Sequence, residues 1–165
     1  MRALLVLFTL AAFVGLASCS SKFKKYNGPE VTEIFVFKGK RKMYLMHGDT
    51  ALAVHDIDLG FNPVGHKQFE GDGRTPEGSY IIDRRNPNSS FHLSLGISYP
   101  DVHDRSAARE AGKSPGGDIF IHGGPTRPQD RNKRDWTAGC ISVTDKEVED
   151  IYAMVRDGTR IHIVP

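Results

Sequence analysis

The sequence has little cysteine, little surplus charge and no repeated or low-complexity segment. Two of its 165 residues are cysteines, and 22 Lys and Arg stand against 20 Asp and Glu, which leaves a net charge of +2. Such a small basic surplus does not favour nucleic acid as a partner, because nucleic-acid binding relies on neutralising many phosphates. The absence of repeats and biased segments excludes arrays and long disordered tails. We therefore expect one globular domain, large enough to form a core without disulfides.

Long hydrophobic runs are also missing, apart from one near the N-terminus. Arg2 precedes an apolar stretch over residues 3–18 that is too short for a comfortable membrane span, which takes about 20 residues. This pattern predicts an export signal over residues 1–18. The stretch ends in Leu16-Ala17-Ser18-Cys19, which resembles the lipobox of bacterial lipoproteins, where the cysteine receives diacylglycerol and becomes the first mature residue. An ordinary secretory signal followed by a chance cysteine is the alternative.

A lipid on Cys19 would hold the mature protein at a membrane. Ser20 stands where an Asp would favour retention in the inner membrane, so we expect the outer membrane, facing the periplasm. Residues 19–30 are polar, basic and rich in turn-forming residues, and they predict a short lipidated tether. The folded domain is then expected over residues 31–165.

Most of this domain has the alternating or β-branched pattern of strands. The segments that predict strands are 34–37, 43–46, 51–59, 80–82, 91–95, 119–122 and 160–164. One helix is predicted, because Thr144-Asp145-Lys146-Glu147 forms a capping box and Gly158 is placed to end the helix. The expected fold class is mostly β, a β-rich α+β domain with one helix that follows Cys140.

Cys140 is the residue that most needs an explanation. In an oxidising compartment it has no partner within the chain once Cys19 is lipidated, so it is either a buried inert thiol or a reactive one. A strand that ends in His122-Gly123 and a glycine directly before the cysteine favour the reactive thiol. A neighbouring imidazole activates a thiol by taking its proton, and the backbone amides of Gly139 and Cys140 are candidates for stabilising an oxyanion. These groups together predict an acyl-transfer site.

Three segments resemble the L,D-transpeptidase catalytic domain, the YkuD family. They are Gly73-Arg74-Thr75-Pro76-Glu77-Gly78-Ser79-Tyr80, Ile121-His122-Gly123 and Thr137-Ala138-Gly139-Cys140. The resemblance extends over about residues 34–164. It implies a YkuD-like β-sandwich or barrel and an activity in which a cysteine joins or cuts peptidoglycan stem peptides.

The resemblance also implies roles for single residues. Cys140 would be the nucleophile, His122 its base, and the main-chain carbonyl of Gly123 the group that orients the imidazole. Thr137 takes the family's usual Ser or Thr position at the substrate site. No cofactor is implied.

Two positions depart from the pattern of family members that form cross-links. Ala138 stands where those members often have His, and Ser142 stands where they have Arg. The variation is similar to that of a YafK-like subgroup, some of whose members hydrolyse stem-peptide bonds. Transfer of the acyl group to an amine is our leading prediction. Hydrolysis and a non-catalytic role in binding murein are the alternatives.

The insert between the two motifs, residues 125–136, is basic. Arg127, Arg131 and Arg134 predict a lid that holds the carboxylates of stem peptides, with a merely solvated loop as the alternative. Trp136 is interpreted either as a core anchor or as a wall of the substrate groove. The other histidines lack the spacing of zinc ligands, so no metal site is expected.

Overall fold

The computed structural model describes residues 21–165, so the predicted export signal and Cys19 lie outside the described residues. The described chain forms eight strands and two α-helices. In order, they are β1 (Glu33–Phe37), β2 (Lys42–His47), β3 (Thr50–Asp56), β4 (Gly78–Asn86), β5 (Ser94–Ile97), α1 (Val102–Glu110), β6 (Phe120–His122), β7 (Ile141–Ser142), α2 (Asp145–Met154) and β8 (Arg160–Val164). A short 3₁₀ turn, Pro128–Asp130, lies in the basic insert.

The strands form one sheet whose edges are brought together. Its order is β3-β2-β1-β8-β4-β5-β6-β7, with antiparallel neighbours except for the parallel pairs β1–β8 and β6–β7. The chain that leaves β3 at one edge reaches the other edge, where Asp58 bridges Ser142 and Gly60 bridges Thr137. These bridges curl the sheet and place residues 57–60 beside the loop that ends in Cys140.

The core follows from the two-residue period of the strands, which places alternate side chains on one face. In β1 the side chains of Ile34 and Val36 are fully buried, and Ile161 and Ile163 of β8 are buried beside them. Helix α2 covers this core with Val148 and Ile151. The predictions of a mostly β domain and of a helix after Cys140 are confirmed.

Helix α1 was not predicted, because it has almost no apolar face. Its only buried side chains are those of Asp104 and Ala108. The helix begins instead with an acidic capping box, in which Asp101 accepts from the backbone N–H groups of His103 and Asp104, and Asp104 accepts from the backbone N–H of Asp101. Within residues 21–165, no helix is both long enough and apolar enough to cross a bilayer.

Two strands at the site differ from the prediction. The strand expected over 91–95 is β5, which starts only at Ser94, because His92 has a positive φ of 70° that interrupts extended backbone. β7 has two residues, too few for any pattern to predict it. Because β5 starts only at Ser94, Phe91 lies in the loop before it and lines a cavity together with His122 and Cys140.

The described part of the predicted tether lies against the domain. Lys22 Nζ donates to the carbonyl oxygens of Pro87, at 2.7 Å, and His92, at 3.1 Å. Lys24 Nζ lies 2.7 Å from Asp150 Oδ1 on α2. Charged side chains therefore fasten this segment to the surface, and the ring of Phe23 lies 6.3 Å from that of Tyr152 on α2.

Candidate active site

One cavity of about 280 Å³ contains both the predicted nucleophile and the predicted base. It lies where the ends of β5 and β6 meet the loop before β7. Its lining residues are Asn86, Ser89, Ser90, Phe91, Ser94, Asp118, Phe120, His122 and Cys140. The folded sheet thus brings His122 and Cys140, which are 18 positions apart in the chain, to the same space.

The imidazole of His122 is held in one tautomer. Its Nδ1 lies 2.7 Å from the carbonyl oxygen of Gly123. A carbonyl oxygen only accepts hydrogen bonds, so Nδ1 carries the hydrogen and Nε2 keeps a free lone pair. The ring is therefore prepared to accept a proton at Nε2.

Two aromatic rings enclose this imidazole. Phe91 stacks on it with ring centroids 4.4 Å apart, and Trp136 meets its edge at 5.5 Å. Burial lowers the pKa of His122 below its usual value, although the hydrogen bond to Gly123 acts in the opposite direction. The imidazole is consequently neutral at pH 7, as a base must be. Trp136, half-buried, contacts the predicted base directly.

The Gly123 carbonyl is itself fixed. Ser142 Oγ donates to the same oxygen at 3.0 Å, so one carbonyl receives two donors. Gly123 has no room for a side chain, because a Cβ there would lie 2.5 Å from Asp145 Oδ1 and 2.6 Å from the carbonyl oxygen of Phe91. Ser142, at the position where cross-linking relatives have Arg, therefore helps to hold the orienting group of His122.

Thr137 shapes the loop that carries the thiol. Its side chain is buried, with Oγ1 donating to the carbonyl oxygen of Cys140 at 2.7 Å and accepting from the Gly139 N–H at 3.1 Å. Gly139 has a φ of 136°, and a Cβ there would lie 2.7 Å from the carbonyl oxygen of Arg74. The segment that contains Arg74 and Thr75 therefore packs against the glycine before the nucleophile. Two of the three predicted motifs meet at this point, and the third contributes His122 to the same cavity as Cys140.

This hydrogen bonding affects the predicted oxyanion donors differently. The Gly139 amide is engaged by Thr137 Oγ1, whereas the Cys140 amide is not bound by that hydroxyl. Of the two predicted donors, the amide of Cys140 is the better placed to receive a developing charge.

The sulfur of Cys140 carries its proton at neutral pH. Its thiol donates to the carbonyl oxygen of Asp118 across 3.5 Å. Burial raises the pKa of the Cys140 thiol, the Phe120 backbone N–H lowers it, and the charge of Asp118 raises it further, so the pKa lies above the usual value. A neutral thiol and a neutral imidazole therefore line the same cavity, so attack by this sulfur would require the transfer of its proton.

The three arginines of the basic insert do not line this cavity. Arg127 pairs with Asp130 at 2.8 Å, and Arg134 approaches Asp58 at 3.5 Å. Arg131 and Arg134 line a second cavity of about 420 Å³. The other residues of that cavity are Asp56, Ile57, Asp58, Gly124, Pro125, Ser142, Val143, Thr144 and Glu147. The structure therefore separates the predicted basic lid from the thiol.

Of the nine residues that line the cavity, the sequence analysis identifies only His122 and Cys140 as site residues. Among the others, Phe91 falls in a predicted strand and Asp118 lies outside every motif.

The three motifs, the curled sheet and the shared cavity can be compared with known proteins. The model of the L,D-transpeptidase catalytic domain, YkuD, matches residues 32–163. The chain belongs to the YkuD family. YafK of Escherichia coli K12, a protein whose name assigns it provisionally to the L,D-transpeptidases, is 25% identical, and the match covers 92% of this chain and 61% of YafK. The predicted resemblance is confirmed by both findings.

Solved structures show the same YkuD fold. The helical cell shape determining protein Pgp2 of Campylobacter jejuni superimposes with a TM-score of 0.62 at 22% identity, covering 84% of this chain and 49% of Pgp2. Bd1075 of Bdellovibrio bacteriovorus gives a TM-score of 0.55 at 24% identity, covering 86% of this chain and 50% of Bd1075. This YkuD chain thus spans about half the length of those two proteins and 61% of YafK.

Proposed function

We propose that this protein is a cysteine-dependent L,D-transpeptidase that acylates Cys140 with a peptidoglycan stem peptide. The observation that carries the proposal is the single cavity lined by Cys140 and by His122, whose Nε2 is free because Nδ1 donates to Gly123. Membership of the YkuD family supports the reaction class.

In the first step, Cys140 Sγ attacks the carbonyl carbon of the bond between an L-centre and the D-residue that follows. His122 Nε2 takes the thiol proton, and the Cys140 amide stabilises the oxyanion. The C–N bond then breaks, and the leaving amine receives the proton from His122. The product is a thioester on Cys140 and a free D-amino acid or peptide.

The second step depends on the acceptor. A deprotonated amine yields a new amide, whereas water yields a free carboxylate, and both release the thiol. Water is present at about 55 M, so an amine competes only if a binding site positions it beside the thioester, where effective molarities of about 10⁵ M or more can be reached. We propose transfer as the main outcome, with Arg131 and Arg134 of the second cavity as the acceptor's carboxylate site.

Hydrolysis is the second candidate, and the separation of the two cavities favours it. The arginines expected to hold an acceptor line a cavity that does not include Cys140. An acceptor bound only there would have to extend from one cavity to the other. Without such an acceptor, the thioester is resolved by water.

Mass spectrometry of the purified full chain with a synthetic stem tetrapeptide tests the reaction. We expect an acyl adduct on Cys140 in the wild type, no adduct in Cys140→Ala, and unchanged circular dichroism in that variant because alanine is close in size to cysteine. An adduct that persists in Cys140→Ala contradicts the mechanism. Absence of any wild-type adduct, together with binding to murein sacculi, supports the non-catalytic alternative.

The products decide between transfer and hydrolysis. With excess amine acceptor, a transpeptidase yields the exchanged peptide, and Arg131→Gln combined with Arg134→Gln lowers the ratio of exchanged to hydrolysed product more than it lowers total turnover. If only hydrolysed product forms, even with excess acceptor, the function is hydrolysis and not transfer.

We also propose that the protein is exported and anchored by lipid on Cys19, at the outer membrane facing the periplasm. The sequence before Cys19 supports this proposal. In Cys19→Ser the hydroxyl cannot form the thioether that carries diacylglycerol, so we expect unprocessed or soluble protein. Membrane fractionation after a carbonate wash measures the difference, and a variant that matures and sediments like the wild type contradicts the anchor.

A further inference from the structure

Ser94, the first residue of β5, carries a buried hydroxyl beside the imidazole of His122. The two residues are directly opposite each other in the antiparallel pairing of β5 with β6, so their side chains project from the same face of the sheet. Leu95 and Ile121, which follow and precede them, are also paired, and both are fully buried in the core on the other face. Ser94 therefore projects from the face that carries the cavity, which it lines together with His122 and Cys140.

The next residues on this face agree with that orientation. Gly96 of β5 is paired with Phe120 on one side and with Arg84 on the other. A Cβ at Gly96 would collide with Arg84, whose guanidinium lies 4.5 Å from the centre of the Phe120 ring. Phe120 also lines the cavity, so the face of β5 that carries Gly96 and Ser94 is the face that borders it.

The hydroxyl of Ser94 has no partner in the part of the chain that the structure describes. Ser94 is only 3% exposed, and no group of residues 21–165 donates to its Oγ or accepts from it. A buried hydroxyl without a partner is unfavourable, because it loses its hydrogen bonds with water. Alanine would fill the same space without that cost. A hydroxyl at this position is therefore explained if a group bound in the cavity becomes its partner.

The order of the strands indicates which part of a substrate comes near Ser94. β6 lies between β5 and β7, so His122 has Ser94 on one side and the loop that ends in Cys140 on the other. In the proposed acylation, the attacked carbon is bound to Cys140 Sγ and the leaving nitrogen receives its proton from His122 Nε2. The leaving nitrogen therefore lies on the side of the thiol from which Ser94 is reached.

This nitrogen carries a hydrogen of its own besides the proton that it receives. As the attacked carbon becomes tetrahedral, the nitrogen becomes pyramidal, and its lone pair must face Nε2 of His122 to accept the proton. Its N–H then points in another direction. With two hydrogen bonds of about 2.9 Å at a tetrahedral angle, the acceptor of that N–H lies about 4.7 Å from Nε2. Side chains that are directly opposite on antiparallel strands have Cβ atoms about 4.5–5.5 Å apart, which is the spacing that this geometry requires.

We propose that Ser94 is a catalytic residue whose hydroxyl oxygen accepts a hydrogen bond from the N–H of the scissile amide in the transition state of acylation. This role rests on the proposed acylation of Cys140, and it holds the leaving nitrogen in the orientation in which His122 protonates it. The Sγ–C bond forms, the C–N bond breaks, and the thiol proton passes through His122 to the nitrogen. Ser94 keeps its own proton and forms no covalent bond.

Two donors that differ only in the leaving atom test this role on the full chain. One is a synthetic stem tetrapeptide that ends in D-alanine, and the other is the ester in which D-lactate replaces that D-alanine, so that oxygen replaces the N–H. The acyl adduct on Cys140 is followed over time by mass spectrometry. In Ser94→Ala we expect kcat for acylation by the amide to fall about tenfold, the worth of one hydrogen bond made in the transition state.

The other two measurements distinguish this role from a general loss of binding. KM for the amide should change by less than about twofold, because the planar amide of the ground state does not depend on the contact. The ester has no N–H to donate, so Ser94→Ala should acylate with it within about threefold of the wild-type rate. The ester reaction also shows that the variant is folded.

Two further variants separate the hydroxyl from its position. Ser94→Thr keeps a hydroxyl at the same place in the strand, and it should keep the wild-type ratio of the amide rate to the ester rate. Ser98→Ala removes a hydroxyl directly after β5, outside the cavity, where Oγ accepts from the Ile81 backbone N–H. This control should leave the ratio of the two rates unchanged.

The outcomes separate the role of Ser94 from the proposed function. An equal loss of the amide and ester reactions in Ser94→Ala would give Ser94 a structural role alone and overturn the proposal, as would an unchanged amide rate. Both results leave the proposed function intact. If the amide donor does not acylate wild-type Cys140, the proposed function fails, and the role of Ser94 fails with it.

Discussion

The two side chains that we propose to react, Cys140 and His122, are uncharged at rest, so the proposed mechanism includes a proton transfer between them. Burial lowers the pKa of His122 and raises that of Cys140, so neither a thiolate nor an imidazolium is stabilised before substrate arrives. This differs from cysteine sites in which the two groups form an ion pair in advance. The rate of acylation should therefore depend on the imidazole at every pH where the thiol is protonated.

His122→Ala tests this dependence. The base form of His122 is present above its lowered pKa, so wild-type acylation is retained at pH 7 and declines as the pH falls through that pKa. Without the imidazole, we expect acylation at pH 7 to be slower by about 10²–10⁴-fold and to recover partly above pH 9, where the thiol ionises. Stopped-flow acylation across pH measures both effects. His103→Ala, which alters an exposed histidine on α1, is the control, and a wild-type rate in His122→Ala at pH 7 would identify another base.

At the scale of single residues, the sequence predicts a site residue where a reactive side chain stands next to a glycine. His122 and Cys140 could be predicted because each is followed or preceded by glycine within a recognisable motif. Phe91 and Asp118 could not, because they reach the site through the pairing of β5 with β6 and through two positive-φ residues, His92 and Asp118 itself. A hydrophobic pattern reveals neither which strands pair nor which residues have a positive φ.

Some secondary-structure elements are stabilised by buried apolar side chains and others by hydrogen bonds at their ends. Only the first kind shows a clear pattern in the sequence. β1, β2 and β8 bury alternate apolar residues, a pattern that the sequence displays directly. Helix α1 depends on its cap instead, since Asp101 and Asp104 satisfy backbone groups at its N-terminus. An Asp at the third position of a capping box is less familiar than Glu, which is found in α2.

Removal of the α1 cap should consequently be costly. In Asp101→Ala the N–H groups of His103 and Asp104 lose their acceptor, and we expect the free energy of unfolding to fall by about 1–2 kcal/mol. Urea denaturation followed by circular dichroism measures the change. Asp157→Ala, at an exposed position beyond α2, should change stability by less than about 0.5 kcal/mol. If the two substitutions lower the free energy of unfolding equally, the capping box does not stabilise the domain.

At the scale of the whole domain, a buried ion pair between Lys67 and Asp72 helps to order a long loop. Asp72 organises the long connection between β3 and β4, accepting from the backbone N–H groups of Gln68, Phe69 and Arg74 and from Lys67 Nζ. Burial alone would raise the pKa of Asp72, but these hydrogen bonds outweigh it and lower the pKa. The same connection carries the carbonyl of Arg74 that packs against Gly139.

A lowered carboxyl pKa has a definite consequence for stability. Asp72 contributes stability above the unfolded value of about 3.9, and that contribution is lost as the pH falls through the lower folded value. We expect the wild-type free energy of unfolding to decline steeply below about pH 4. Asp72→Asn should be less stable at pH 7 and show a shallower decline, as measured by urea unfolding at several pH values. With Asp157→Asn as the control, a slope in Asp72→Asn as steep as the wild type's would assign the acid sensitivity to other groups.

If Cys19 carries the lipid that we propose, the contacts of Lys22 beside the cavity limit the distance between the membrane and Cys140. Cys19 is three residues before Lys22, and an extended chain covers about 3.5 Å per residue, so a lipid on Cys19 would lie within about 10 Å of the point where Lys22 holds the 87–92 loop. Were the contacts of Lys22 and Lys24 released, the twelve residues 19–30 would extend to about 40 Å. With the proposed anchor and substrate, these two lysine contacts would decide whether Cys140 reaches only the murein adjacent to the bilayer or a layer about four times as deep.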